Sequence, residues 1–120
     1  MDAALELHAR LATAIALYLA ALGVWGVLLA ARGSGPTPAY RGAVVIVEVV
    51  IVAQGILGAV AWPQRGPADS IHVLYGLALV LALALAATLV REVAPRRAAL
   101  AMGLASFFAA GLAIRGITTA

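Results

Sequence analysis

The sequence predicts an all-α integral membrane protein, a single four-helix up-and-down bundle over residues 1–120. Three observations lead there. Hydrophobic residues make up 65% of the chain and charged residues only 11%, and the mean hydropathy of +1.09 exceeds what a soluble domain of this size can bury. The apolar residues gather into four runs, Leu11 to Ala31, Ala43 to Trp62, Ile71 to Val90 and Ala98 to Ile114. The segments between them are short, so consecutive helices are expected to be antiparallel neighbours.

At about 1.5 Å per residue each run crosses most of a hydrocarbon layer of about 30 Å, the last being the shortest. The first lacks a basic leader and a small-residue cleavage site before Arg32, and reads as a retained helix rather than a signal peptide. Arg32-Gly33-Ser34-Gly35-Pro36-Thr37-Pro38 cannot continue a helix. Pro63-Gln64-Arg65-Gly66-Pro67 is expected to stop the second helix, and the Arg91 to Arg97 segment with Pro95 divides the third from the fourth.

Arginine alone sets the orientation, because the chain has no lysine. Arg32, Arg41, Arg91, Arg96 and Arg97 fall in or beside the first and third loops, against Arg10, Arg65 and Arg115 on the opposite side. This bias favours cytoplasmic first and third loops, with both termini outside, in what is expected to be a prokaryotic cytoplasmic membrane. The net charge of +3 suits anionic headgroups; no basic stripe interleaved with aromatics points to nucleic acid. The absence of cysteine excludes disulfides, thiolate metal sites and covalent c-type haem attachment.

The chain holds two histidines, His8 and His72. Each sits about one turn inside the start of an odd-numbered helix, so an alternating bundle brings them to one depth on diagonal helices, a geometry for gripping a haem iron from both sides. Each is preceded by acids or a hydroxyl suited to a helix N-terminus: Asp2 and Glu6 before His8, Asp69 and Ser70 before His72. His8 shares a face with Ala12, Ile15, Leu19, Leu22 and Gly26; His72 shares one with Tyr75, Gly76, Leu79 and Leu83. Ala12 and Gly76, four residues past each histidine, leave space for a flat macrocycle. The plainer expectation is two imidazoles resting in the headgroup region.

Arg115, near the end of the fourth helix, and Arg10 lie at the same level and could clamp a haem propionate or snorkel to lipid phosphate. Gln54, followed by Gly55 and Gly58, is expected to hydrogen-bond across the bundle or to a histidine nitrogen while the glycines permit close approach. Glu48, near the middle of the second helix, reads as a neutral carboxyl donating one hydrogen bond in the bundle or to a partner subunit, with an ion or proton path as the alternative. Trp25, Tyr40, Trp62 and Tyr75 fall at or toward helix ends, as interfacial belt residues do; Tyr75 is also within reach of a ring held by His72. No nucleophile elbow, phosphate loop, paired carboxylates or His-x-x-x-His spacing occurs.

On these residues the chain resembles one four-helix half of the haem A synthase family. The likeness runs from Glu6-Leu7-His8-Ala9-Arg10 through Trp25, Gln54-Gly55-Ile56-Leu57-Gly58 and Pro63 to His72, about the first three helices. The resemblance implies that His8 and His72 are axial haem ligands, with Gln54 and Gly58 matching the family's Gln-x-x-x-Gly element. Ala9 separates His8 from Arg10 where the family has them adjacent, and one half alone is present, so the family's oxidative chemistry is not implied.

The expectation is therefore a small b-type haem protein, with haem b held by His8 and His72 near the outer face, transferring electrons with a redox partner, a quinone or a larger membrane complex. It is expected to be an electron carrier or subunit rather than a complete enzyme, in the lipid bilayer and open to homo-oligomerisation. The competing expectation is a cofactor-free accessory subunit of a respiratory or photosynthetic complex, supported by abundant Gly and Ala for helix packing. A third is a small transporter centred on Glu48.

Overall fold

The structure, a computed structural model, describes residues 3–65 and 70–119, with Gln64 and Arg65 described by backbone alone. Asp2, Asp69, Gly66 and Pro67 lie outside the described residues. Four helices follow one another: α1 (Ala3–Ala31), α2 (Pro38–Arg65), α3 (Ser70–Leu89) and α4 (Pro95–Thr118). All four are long and apolar enough to cross a membrane. They form an elongated bundle of 49 × 22 × 19 Å.

Each sequential pair packs side by side, and α1 closes the ring against α4, so α1 and α3 are diagonal, as are α2 and α4. The amino end of α1, the carboxyl end of α2, the amino end of α3 and the carboxyl end of α4 therefore share one end of the bundle.

Local chemistry explains the boundaries. At the end of α1, Gly33 adopts φ 75°, the left-handed conformation that glycine takes at little cost. Ser34 N–H donates to Leu29 O at 2.8 Å and Gly33 N–H to Ala30 O at 2.9 Å, which satisfies the last carbonyls in a Schellman turn. Arg96 Nε adds a bond to Ala30 O at 2.9 Å, a cation at the negative end of the helix dipole. Thr37 caps α2 by accepting from Tyr40 N–H at 3.1 Å, with Pro38 at the first helical position. Pro95 starts α4 in the same way.

α2 runs to Arg65, inside the Pro63–Pro67 segment expected to stop it; near a carboxyl end a proline removes only the bond to Ala59 O, so the helix continues past Pro63 itself. One sequence expectation is corrected here. The last span, expected to be the shortest, is not: α3 has 20 residues and α4 has 24, because Pro95 opens α4 ahead of Arg96 and Arg97, which stand on helical backbone rather than in the loop.

Between lipid-facing helices association depends on close packing rather than on exclusion of water. The tightest seam joins α1 to α4. A Cβ built on Gly26 would lie 2.7 Å from Gly103 Cα, and one on Gly103 2.9 Å from Val27 N, so the two backbones touch. Ile15, Leu19, Leu22, Ala99, Met102 and Ala109 fill the core beside them, and buried Ser106 returns its hydroxyl to Met102 O at 2.8 Å. Tyr40, expected in the interfacial belt, is instead buried: it donates to Leu22 O at 3.1 Å and stands edge-on to Trp25 at 5.0 Å. A phenol that finds a main-chain acceptor gains packing area and a hydrogen bond together. The α2–α3 seam is the slightest of the four, and a cleft opens along it.

Candidate functional site

His8 and His72 meet across the bundle. Their ring centroids are 6.2 Å apart with the planes at 71°, although α1 and α3 do not pack directly. The face of α1 that carries His8 is the one that buries Ile15, Leu19, Leu22 and Gly26, and the face of α3 that carries His72 is the one that buries Leu79 and Leu83. One apolar stripe per helix thus aims each imidazole inward.

Both rings are fixed from behind by main-chain carbonyls. His8 Nδ1 lies 3.1 Å from Gln54 O, and His72 Nδ1 lies 2.9 Å from Gly116 O. A carbonyl can only accept, so Nδ1 carries the hydrogen in each ring and the neutral tautomer places the lone pair on Nε2. Gly116 O is available because the last carbonyls of α4 have no helical partner ahead of them. Thr119 Oγ1, 3.5 Å from His72 Nδ1, sits at the same corner.

Gln54 answers His8 twice. Its carbonyl takes the Nδ1 hydrogen, and its Nε2 donates to His8 O at 2.7 Å. One turn on, Gly58 gives the ring its room: a Cβ there would come 3.0 Å from His8 Cε1. The Gln-x-x-x-Gly spacing is therefore a cradle for one imidazole, with both residues on the α2 face toward α1. The interhelical hydrogen bond expected of Gln54 is present; the ring nitrogen meets its carbonyl rather than its amide. Gln54 Oε1 is buried with no hydrogen-bond partner among the described residues.

Two clefts flank the pair. One, of about 210 Å³, is bounded by His8, Ala12, Tyr75, Gly76 and Ala113, and the other, of about 260 Å³, by His8, Gly58, Trp62, His72 and Gly76. They share His8, Gln54, Gly76 and Leu79 as a common wall. Neither reaches the roughly 300–1,000 Å³ of small-molecule and cofactor sites. A Cβ at Gly76 would meet nothing within 4 Å, in keeping with the space expected beside His72.

Searches against protein-family models, curated proteins and solved structures return no match. The chemistry has to be read from these residues alone.

Among the described residues no group of three or more His, Cys, Asp or Glu side chains could hold a metal ion. Two imidazoles cannot complete a four-coordinate structural site. They suit a metal that brings its own equatorial ligands.

The arginines divide. Arg10 is bound to Glu6 at 2.6 Å, with its side chain 76% exposed, and lines neither cleft. An acid one turn earlier on the same helix holds its guanidinium at the surface. Arg115 lines neither cleft itself, but its Cζ lies 5.6 Å from the centre of the Tyr75 ring, a cation–π contact with a residue that lines the first cleft one turn from His72. Glu48, expected to donate within the bundle, has Oε1 buried without a hydrogen-bond partner among the described residues.

Sequence reasoning did not single out Gly116, Thr119 or Trp62. Two of these act through main chain or at the corner of a terminal turn, and a carbonyl acceptor leaves no residue-type signal. Trp62 carried one in its place near the end of the second apolar run, but the belt reading absorbed it.

Proposed function

We propose that this protein is a small membrane b-type haem protein that transfers electrons, with His8 and His72 as the axial ligands of one haem. The observation that carries the reading is the pair of inward imidazoles on diagonal helices, 6.2 Å apart, each with Nδ1 tied to a carbonyl. That second bond is the usual outer-shell partner of a metal-binding histidine, fixing its tautomer and orientation. The resemblance to one half of the haem A synthase family supports the same two ligands.

A haem held by two histidines supplies one-electron redox chemistry and leaves no open iron position for oxygen. The chain's own residues do the rest. Gln54 and Gly116 hold the imidazoles by their carbonyls, Gly58 and Gly76 leave room, and apolar Ile51, Leu79 and Val80 exclude water from the clefts. Arg115, beside Tyr75, would be the cation to pair with a propionate. The arginine bias supports termini and haem on the outer side, so a reporter fused after Thr119 is expected outside and one at Gly35 inside.

The deciding measurement is the reduced-minus-oxidised spectrum of the full protein expressed with haem available. A low-spin bis-histidine spectrum is expected. A folded, colourless protein would overturn the proposal and leave the accessory-subunit reading, to which the exposed Leu74, Leu77, Leu81 and Leu85 of α3 would then offer a partner-facing row.

A further inference from the structure

A larger cleft than those beside the histidines lies at the other end of the molecule. About 880 Å³ in volume, it opens between the start of α2, the α3–α4 turn and the start of α4. Its inner wall is apolar, formed by Val44, Ala87, Val90 and Met102, while Arg41 and Arg91 stand at its rim. No acidic residue lines it, and among the described residues neither guanidinium meets a carboxylate. Two cations that form no ion pair among the described residues, beside an apolar hollow, are the two halves of an amphiphile's complement.

The backbone adds to the same field. The amino ends of α2 and α4 both border the cleft, through Thr37 and Pro95, and neither first turn contains the acid that commonly offsets the positive end of a helix.

We propose that this cleft binds one anionic phospholipid, its phosphate between Arg41 and Arg91 and the upper part of its acyl chains along Val44, Ala87 and Val90. Charge selects the headgroup. The apolar wall makes a lipid, rather than a free anion, the fitting occupant. The site is independent of the histidine pair, at the opposite end of the bundle, and does not depend on haem.

The test titrates the full-length protein in neutral detergent with dioleoylphosphatidylglycerol or dioleoylphosphatidylcholine and counts bound lipid by native mass spectrometry. One phosphatidylglycerol is expected to be retained at least about tenfold more tightly than phosphatidylcholine, the factor expected of two arginines near an anionic headgroup. The Arg41→Gln/Arg91→Gln variant is expected to lose that preference. Arg32→Gln/Arg97→Gln, which removes the same charge outside the cleft, is expected to keep it. Inorganic phosphate at millimolar concentration is expected to leave the lipid bound. Equal retention of both lipids by the wild type needs no variant to be read and would overturn the proposal, as would an unchanged preference in Arg41→Gln/Arg91→Gln, a lost one in Arg32→Gln/Arg97→Gln, or displacement by phosphate.

Discussion

Along α1 and α4, glycines bring two backbones into contact; at the histidine end, glycines keep a space open. A Cβ on Gly26 would lie 2.7 Å from Gly103 Cα, whereas one on Gly76 would meet nothing within 4 Å. The same residue type therefore serves cohesion in one region and vacancy in the other. In a bilayer the first use is what holds helices together, since lipid competes with every apolar side chain. The second weakens the α2–α3 seam and is tolerable because the α1–α4 seam is so close. The glycines read alike in sequence; only the neighbouring backbone tells them apart.

The sharpest way to break this contrast is Gly103→Leu. Its side chain would press on Val27 N and Gly23 O, main-chain atoms that cannot rotate aside, so a destabilisation beyond about 3 kcal/mol and loss of the compact bundle are expected in thermal unfolding in detergent. A stable Gly103→Leu protein would mean that the seam is not close-packed.

Next in size, His8→Leu and His72→Leu are each expected to abolish a low-spin haem spectrum while the helices remain, because leucine forms no bond to iron and removes one Nδ1–carbonyl bond worth about 1 kcal/mol. Far-ultraviolet circular dichroism separates this outcome from misfolding. Retention of an unchanged spectrum by both variants would remove the histidines from the site.

Gln54→Leu tests the cradle rather than the ligand. It deletes the bond to His8 O but leaves the Gln54 carbonyl in place, so haem retention is expected to fall about 10- to 100-fold, as for other outer-shell partners, measured by transfer to a competing apo-protein. Gly58→Ala is milder. Its Cβ would sit 3.0 Å from His8 Cε1, so the ring must yield by a few tenths of an ångström, and a loss of less than about tenfold in the same assay is expected. Smallest of all, Gly76→Ala meets open space and is expected to change haem-free stability by no more than about 1 kcal/mol, toward greater stability, because alanine is the better helix former.

How much of this was legible differs between the two regions. The four spans and the common depth of His8 and His72 follow from hydropathy and from alternation of helix direction, both properties of sequence order. So does the inward aim of the histidines, since Ile15, Leu19 and Leu22 trace the same stripe as His8. The Arg10–Glu6 pair was also legible, four residues apart on one helix. Other features had no such signal. The Gly26–Gly103 approach depends on the rotation of α1 against α4, and the burial of Tyr40 on the availability of Leu22 O, neither of which is encoded in the local pattern. The end of α2 was legible to within a few residues, since Arg65 falls inside the Pro63–Pro67 segment expected to stop it.

The imidazoles hang from main chain, and this changes what variation can reach them. No substitution of the Gly116 side chain, and none of the Gln54 side chain taken alone, can delete the carbonyl that holds a ring; these oxygens persist in every residue type. What can delete them is a change of register. One residue inserted into α2 between Gly42 and Gln54 turns the carbonyls beyond it by about 100° and moves them by about 1.5 Å relative to the preceding part of the helix. Tolerance at this end of the bundle should therefore be wide for point substitutions behind the rings and narrow for insertions and deletions within the helices that carry the acceptors, a pattern that a deep scan combining both kinds of change would record as two different maps over the same residues.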